Sequence, residues 1–301
     1  SLEGDLLWEG WTDHRLLVAA GLTRISVEDA WERTSIDPVT KEPFPAPRRL
    51  TREDGLPWPS ESRSRRILSL TVQDEYRVSD DITLTAGGRY DDYDDVGDNT
   101  SPRLAAVWRI GRRHILKAQY AEAFRPPTFY ESAYKTELRP ETIRTTELAY
   151  VFKSPDTEFR LTGFRSQLRD LIIDVGVLDY DNVSDVHSHG IEAEVRQRLG
   201  PKWRGDANLT LANSEQARDG TQMAGAADRL ANVVLNYQPT SAQSYALWVR
   251  HVGDREREPD DARATLKGYQ TVDLSANIVL PGGRHAPTLR LGVSNLFDRD
   301  I

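Results

Sequence analysis

Hydrophobic and polar positions alternate with a period of two along most of this chain, the signature of strands with one apolar and one polar face. Leu68, Leu70 and Val72 stand opposite Ser69, Thr71 and Gln73. Ala231, Val233, Leu235 and Tyr237 stand opposite Asn232, Val234 and Asn236. Val272, Leu274, Ala276 and Ile278 oppose Asp273, Ser275 and Asn277, and Leu289, Leu291 and Val293 oppose Arg290, Gly292 and Ser294. The pattern predicts about fourteen strands. They are Leu2–Glu9, Arg15–Glu28, Arg66–Tyr76, Ile82–Tyr93, Arg103–Ile110, His114–Ala123 and Thr145–Phe152. Thr157–Asp174, Val183–Leu199, Lys202–Asn213, Gly225–Tyr237, Gln243–Val252, Gly268–Leu280 and Thr288–Phe297 follow.

The connections alternate in length. Gly10–His14, RVSDD, GRR, SPD, Gly200-Pro201, QPTSA and PGGRHAP are short. Asp29–Arg65, Asp94–Pro102, Phe124–Arg144, Val175–Asn182, Ser214–Ala224 and Gly253–Lys267 are long. Such parity describes an all-β, antiparallel up-and-down meander. In a transmembrane β-barrel the short turns face the periplasm and the long loops face outside. A soluble two-layer sheet shares the alternation of faces, but Greek-key connections would not keep the loop parity. The barrel is the favoured reading.

Composition bounds this reading. The chain has 301 residues, 38% hydrophobic and 29% charged, and no apolar run approaches the roughly 20 residues of a spanning helix. A spanning strand needs only about 9–11 residues, half of them facing water, so hydropathy does not exclude a membrane. A net charge of -8 argues against a nucleic-acid partner. With no cysteine, there is neither a disulfide framework nor a thiolate metal site. Residues 1–20 show no secretory signal. The chain starts as if mid-sheet and stops after NLFDRDI, so it reads as a fragment open at both ends.

The stretch Tyr120–Tyr150 organises the rest. Leu116, Ala118 and Tyr120 alternate with Lys117, Gln119 and Ala121 until Arg125-Pro126-Pro127, where two prolines cannot donate to a ladder. Alternation resumes over Thr146–Phe152. The connection between carries Arg125, Phe129, Tyr130, Tyr134, Lys135 and Arg139, a mixture of aromatic area and cations that suits ligand binding. Tyr180 and Trp58, in other long connections, add to this set. The alternative is that these side chains pack the loops together.

Here a resemblance enters. EAFRPPTFYE followed by LRPETIRTTELAY is similar to the hallmark strand end and loop of TonB-dependent outer-membrane receptors. LTVQDEYRVSDDITLTAGGRYDDY (Leu70–Tyr93) resembles that family's "QDE…L…GxRYD" hairpin. HGIEAEVRQRL (His189–Leu199) resembles its "GxExE" strand, and LRLGVSNLFDRDI (Leu289–Ile301) its "NLFD" hairpin. The motifs stand in the family's order over residues 66–301.

The resemblance implies a barrel of about twenty-two strands with a plugged lumen in the outer membrane of a Gram-negative bacterium. Residues 1–301 would be one partial β-barrel domain, its later part, lacking the plug, the early strands and the terminal strand. Alone, it would neither close nor transport. The whole receptor would take up a scarce nutrient, most often a ferric siderophore, with haem and cobalamin as other classes. TonB would be reached only through the missing plug, and membrane lipid and lipopolysaccharide would surround the barrel. Arg125, Phe129, Tyr130, Tyr134, Lys135, Arg139 and Tyr180 would be ligand contacts in extracellular loops. Such uptake is binding and gating, with no catalytic residue and no cofactor.

Three other readings compete. A complete fourteen-stranded passive channel is even-numbered, as single-chain bacterial barrels require, but the NLFD ending opposes it. An outer-membrane enzyme would need a nucleophile and base, and no Gly-x-Ser-x-Gly, His-Glu-x-x-His or Ser/His/Asp arrangement supplies them. A soluble carbohydrate-binding β-protein is the third.

The remaining motifs have plain explanations. His187 and His189 share a strand face at a spacing that suits metal, but a third ligand is missing, and lumen-facing polar side chains are the simpler reading. Asp91, Asp92, Asp94, Asp95 and Asp98 lack the Gly and Glu of a calcium loop and read as a solvated loop. Gly87-Gly88 marks a bulge or close packing. The run Arg63–Arg66 and the pair Arg48-Arg49 read as a solvated rim, with lipopolysaccharide phosphates as the alternative partner. Trp8, Tyr76, Tyr90, Trp108, Tyr150, Phe152, Tyr237 and Trp248 are placed for interfacial girdles. No metal site is assigned.

Overall fold

The computed structural model describes residues 1–28, 31–37, 40, 42–54, 63–176, 179–258, 261–283 and 286–300. Its strands are β1 (Leu2–Trp8), β2 (His14–Val27), β3 (Glu32–Ile36), β4 (Pro43–Leu50), β5 (Arg63–Arg77), β6 (Ile82–Tyr93), β7 (Gly97–Ile110) and β8 (His114–Arg125). After one short helix, α1 (Phe129–Tyr134), come β9 (Glu141–Lys153), β10 (Thr157–Gly176), β11 (Asp179–Arg198), β12 (Trp203–Gln216), β13 (Arg229–Thr240), β14 (Gln243–Val252), β15 (Tyr269–Val279) and β16 (Thr288–Val293). Fourteen strands form one sheet in which each pairs with the next in chain order, β3 and β4 excepted. The up-and-down meander is as the sequence predicts.

Register makes the two faces continuous across neighbouring strands. Leu235, Leu247, Leu274 and Val293 stand in one cross-strand row, and Asn236, Ala246, Ser275 and Gly292 in the next, facing the other way. On β1, β2 and β5, Leu6, Val18 and Val72 likewise form a row. The apolar rows are not covered by protein: Leu68, Leu274 and Leu291 keep 53%, 40% and 55% of their surface exposed. Burying such a side chain is worth about 1.5–3 kcal/mol, so a face of this kind suits lipid rather than water.

Two compact units can be described separately. The first comprises Ser1–Ala106, Gln119–Thr145 and Gln167–Val186. Its buried apolar residues are Leu50, Leu138, Ile172 and Val186, with Pro127 fully buried. Near its short turns Trp8 meets Trp11 edge-on at 4.3 Å, and His14 stacks on Tyr76 at 4.5 Å. The second unit comprises Val107–Ala118, Thr146–Ser166 and His187–Ile301. There Trp203 stacks on Tyr237 at 4.2 Å, and His114 lies against Tyr150 and Phe152. Of the girdle candidates, Trp8, Tyr76, Tyr150, Phe152 and Tyr237 therefore pair with other rings where strands meet short turns. Tyr90, Trp108 and Trp248 stay exposed.

Several boundaries differ from expectation, for one reason. Beyond the span of a membrane both faces are wet, so alternation fades while the ladder continues. The expected loop Asp94–Pro102 is a tight turn closed by Gly97 at φ +83°. Both β10 and β11 run for 20 residues, past the predicted ends at Asp174 and Val183. Conversely, β16 stops at Val293, because Asn295 and Asp298 adopt positive φ and the Asn295 amide donates to Asp273. β13 starts at Arg229 rather than Gly225.

The connection from β2 to β5 contains the hairpin of β3 and β4, which the alternation does not reveal. Pro43, Pro45 and Pro47 occupy every second position of β4, so three missing N–H donors lie along one edge. Gly87-Gly88 is close packing, not a bulge, since the β5–β6 register is unbroken from Ile67↔Tyr93 to Arg77↔Thr83. A Cβ on Gly87 would stand 2.7 Å from the Val72 carbonyl and 2.9 Å from Gln73 Cα.

Candidate functional site

The chain leaves β8 at Arg125, is turned by two prolines and enters α1 through a capping box. The Thr128 hydroxyl accepts from the Glu131 amide at 3.1 Å, and the Glu131 carboxylate accepts from the Thr128 amide at 2.7 Å. This reciprocal pairing satisfies two of the donors that a helix start leaves open. The signal Thr-x-x-Glu was present in the sequence, although the segment reads there as loop.

Arg125 holds the segment to the sheet. Its guanidinium donates to Glu141, the first residue of β9, at 2.5 and 2.8 Å, and to Glu131 at 3.0 and 3.1 Å. Glu141 is buried and also accepts from the Ile172 amide of β10 at 2.8 Å. The bonds from Glu141 and then Glu131 raise the Arg125 pKa above its ordinary range, so its charge is permanent. For Glu131, burial opposes ionisation, but the bonds from Arg125 and Thr128 outweigh it and hold the carboxyl below its usual value.

A second clamp comes from β5. Arg65 is buried, donates to Asp95 at 2.8 Å and to the Pro127 carbonyl at 2.9 Å, and lies over the Phe129 and Tyr93 rings. Arg63 donates to the Ser132 carbonyl at 3.2 Å, and Arg66 pairs with Asp94. The run Arg63–Arg66 is therefore not a solvated rim: two of its arginines fasten the loop, because partners far away in sequence converge on them. The acidic cluster changes meaning too. Asp91 is buried against Arg89, with bonds of 2.7–3.0 Å, while Asp94 and Asp95 take Arg66 and Arg65. Those carboxylates are paired, not free in solvent.

The aromatic residues gather on the other side of α1. Tyr130 and Tyr134 lie 5.1 Å apart, and Tyr180 of β11 is 6.0 and 6.3 Å from them. Lys135 pairs with Asp181 at 2.9 Å, which holds the Asp181 carboxyl below its usual range. Arg139 pairs with Asp170 at 2.6 Å, and its amide donates to the Asn182 side chain at 2.8 Å. Asn182 returns bonds to the Arg139 and Asp170 carbonyls at 3.0 and 2.6 Å. Asp170 itself sits at φ +55°, outside the ordinary strand region.

All seven expected contact residues thus fall in one place. Phe129 packs under Arg65, and Tyr130, Tyr134 and Tyr180 form a ring cluster. Arg125, Lys135 and Arg139 are cations already held by carboxylates. Sequence alone does not show the holding partners Arg65, Glu141, Asp170, Asp181 and Asn182, which come from other strands. Trp58 lies outside the described residues. Of the two histidines, His189 shares its face with the exposed Ile191 and Val195. Ser188 pairs with Ser214 on the opposite, polar face, so His189 is not lumen-facing. No cluster of three or more metal-ligating side chains occurs among the described residues.

A continuous antiparallel meander with one lipid-compatible face, short turns on one edge and a tethered aromatic loop on the other defines the wall of an outer-membrane β-barrel. The profile of "TonB dependent receptor-like, beta-barrel" matches residues 1–296. The chain belongs to that family, whose place is the outer membrane of Gram-negative bacteria. Among curated relatives, the "Ferric enterobactin receptor" of Pseudomonas aeruginosa is 25% identical over 291 residues, covering 80% of this chain and 39% of that protein. The "Iron-regulated outer membrane virulence protein" of Vibrio cholerae is 22% identical over 267 residues, covering 76% of this chain and 40% of that protein. Among solved structures, the siderophore receptor PirA from Acinetobacter baumannii superposes with a TM-score of 0.78 at 19% identity, covering 99% of this chain and 50% of that one. The chain therefore spans about 40% of the length of the curated relatives it matches.

Proposed function

We propose that this chain is the later barrel portion of a receptor that imports a ferric siderophore, and that the loop after β8 is part of its outer capture surface. The observation that carries this reading is the cluster Tyr130–Tyr134–Tyr180, bordered by Lys135 and Arg139 on a loop tied to the sheet. Rings offer flat apolar area at low entropy cost, and cations at their border suit an anionic, oxygen-rich chelate. Relatives whose names specify ferric enterobactin support the ligand class. Transport on this reading is binding and gating: the loops capture, and a plug energised through TonB opens the path. Haem and cobalamin remain the other ligand classes to assay, and the protein does no covalent chemistry.

The test is uptake of radioactive iron, as a ferric catecholate, by cells whose only receptor is the full-length protein. Deleting residues 126–140 abolishes uptake if the reading holds. Unchanged uptake by that deletion overturns it.

A further inference from the structure

One carboxamide ties the ring-bearing loop to the strands behind it. Asn182 accepts from the Arg139 amide at 2.8 Å and donates to the Arg139 carbonyl at 3.0 Å, across 43 residues. Such a two-way exchange is what a neighbouring strand makes in an antiparallel ladder, and here a side chain supplies it. Asn182 Nδ2 also donates to the Asp170 carbonyl at 2.6 Å, so the oxygen and both donors of the group are engaged. Asp170, at φ +55°, departs from strand geometry at this point, and its amide goes to the Asp185 carboxylate at 3.1 Å.

Position and charge both matter. Tyr180 lies two residues from Asn182 on β11, and therefore on the same face of the strand. What fixes Asn182 against Arg139 thus also fixes the Tyr180 ring beside Tyr130 and Tyr134. Three carboxylates, Asp170, Asp181 and Asp185, already meet Arg139, Lys135 and the Asp170 amide here. A neutral side chain that donates twice suits this setting. Aspartate, of the same shape, would face two carbonyl oxygens with no proton to give and would add a fourth carboxylate. We propose that Asn182 is the positioning residue of the capture surface: it sets the spacing of the three rings, and through them the affinity for an aromatic, oxygen-rich chelate, without touching that chelate. The ligand in this proposal rests on the siderophore reading above; the coupling of Asn182 to the rings does not.

The probe is a ferric catecholate, titrated calorimetrically into the full-length protein in detergent. Asn182→Asp weakens it about tenfold, the scale of an unmatched hydrogen-bonding group. Asn182→Ala, which removes the bonds without adding a charge, weakens it less, and the barrel's melting is unchanged in both. A double-mutant cycle with Tyr180→Ala separates positioning from a general structural role. Acting through the ring, Asn182→Asp costs little more once Tyr180 is gone. A full, additive loss overturns the proposal, as does an Asn182→Asp protein that binds like wild type. Hydrogen exchange of the ligand-free protein tells the two proposals apart. Faster exchange within 126–140 in Asn182→Asp, in a protein whose wild type ignores the ferric catecholate, sinks the siderophore reading alone. Catecholate binding by wild type, with affinity and exchange unaltered in Asn182→Asp, sinks this one alone.

Discussion

Two long connections of similar length, residues 126–140 after β8 and 253–268 after β14, take their side-chain partners from different places. The second is rich in arginine and acid, whereas the first carries one arginine, one lysine and two glutamates among its aromatic residues. In the first, the partners come from elsewhere: Arg65 reaches Pro127 across 62 residues, and Arg139 reaches Asp170 across 31. In the second, the side-chain ion pairs are local. Arg257 and Arg263 both pair with Asp261, and the Thr265 hydroxyl donates to Glu256. Local pairs satisfy charges within a loop but do not fix where the loop sits. Pairs to other strands do both, and of the two connections it is the first whose described residues present a ring cluster.

The sharpest way to break this contrast is Arg65→Ala. It leaves the carbonyl of the buried Pro127 without its donor and the exposed Asp95 without its partner, and the loss is about 1–3 kcal/mol, the scale of an unsatisfied buried acceptor. Limited proteolysis of the full-length protein should then cut within 126–140, where wild type resists. Next, Tyr134→Ala removes two ring contacts, together about 1–2 kcal/mol. Its predicted readout is a roughly tenfold weaker ferric catecholate titration with the barrel's melting unchanged.

Acid gives a smaller and graded effect. Glu131 has its folded pKa held below the usual 4.5, so its contribution is complete above about pH 4.5 and lost as pH falls through the lowered value. Protection of 126–140 from an acid-active protease should therefore drop below that pH. Glu131→Gln should show no such step. Smallest of all is Arg263→Ala. Asp261 is held down to about 2, first by its bonds to Arg263, so the pair contributes above pH 3.8 and fades towards 2. With Arg263 exposed and the pair local, the change should leave the melting temperature nearly unmoved; a clear drop would show that local pairs also anchor.

Much of this was legible from residues alone. The meander followed from Leu70 and Leu274 alternating with polar neighbours, and the aromatic residues crowding a proline-broken loop marked a set that the fold brings together. The clamps were not legible. Nothing near Arg65 in sequence marks it as buried, since its partners lie 30 and 62 residues away. Nor does alternation find β3 and β4, a solvated hairpin without an apolar face to declare it. Strand ends beyond the membrane were underestimated for the same reason: Gly97 and Asp179 sit where neither face avoids water.

The prolines of β4 have a consequence outside the molecule. Copies of a membrane protein drift in one plane and collide side-on, which is the geometry in which exposed strands recruit one another. An edge lacking three donors is a poor template for a neighbour's strand, which makes β4 a weak place for copies to pair.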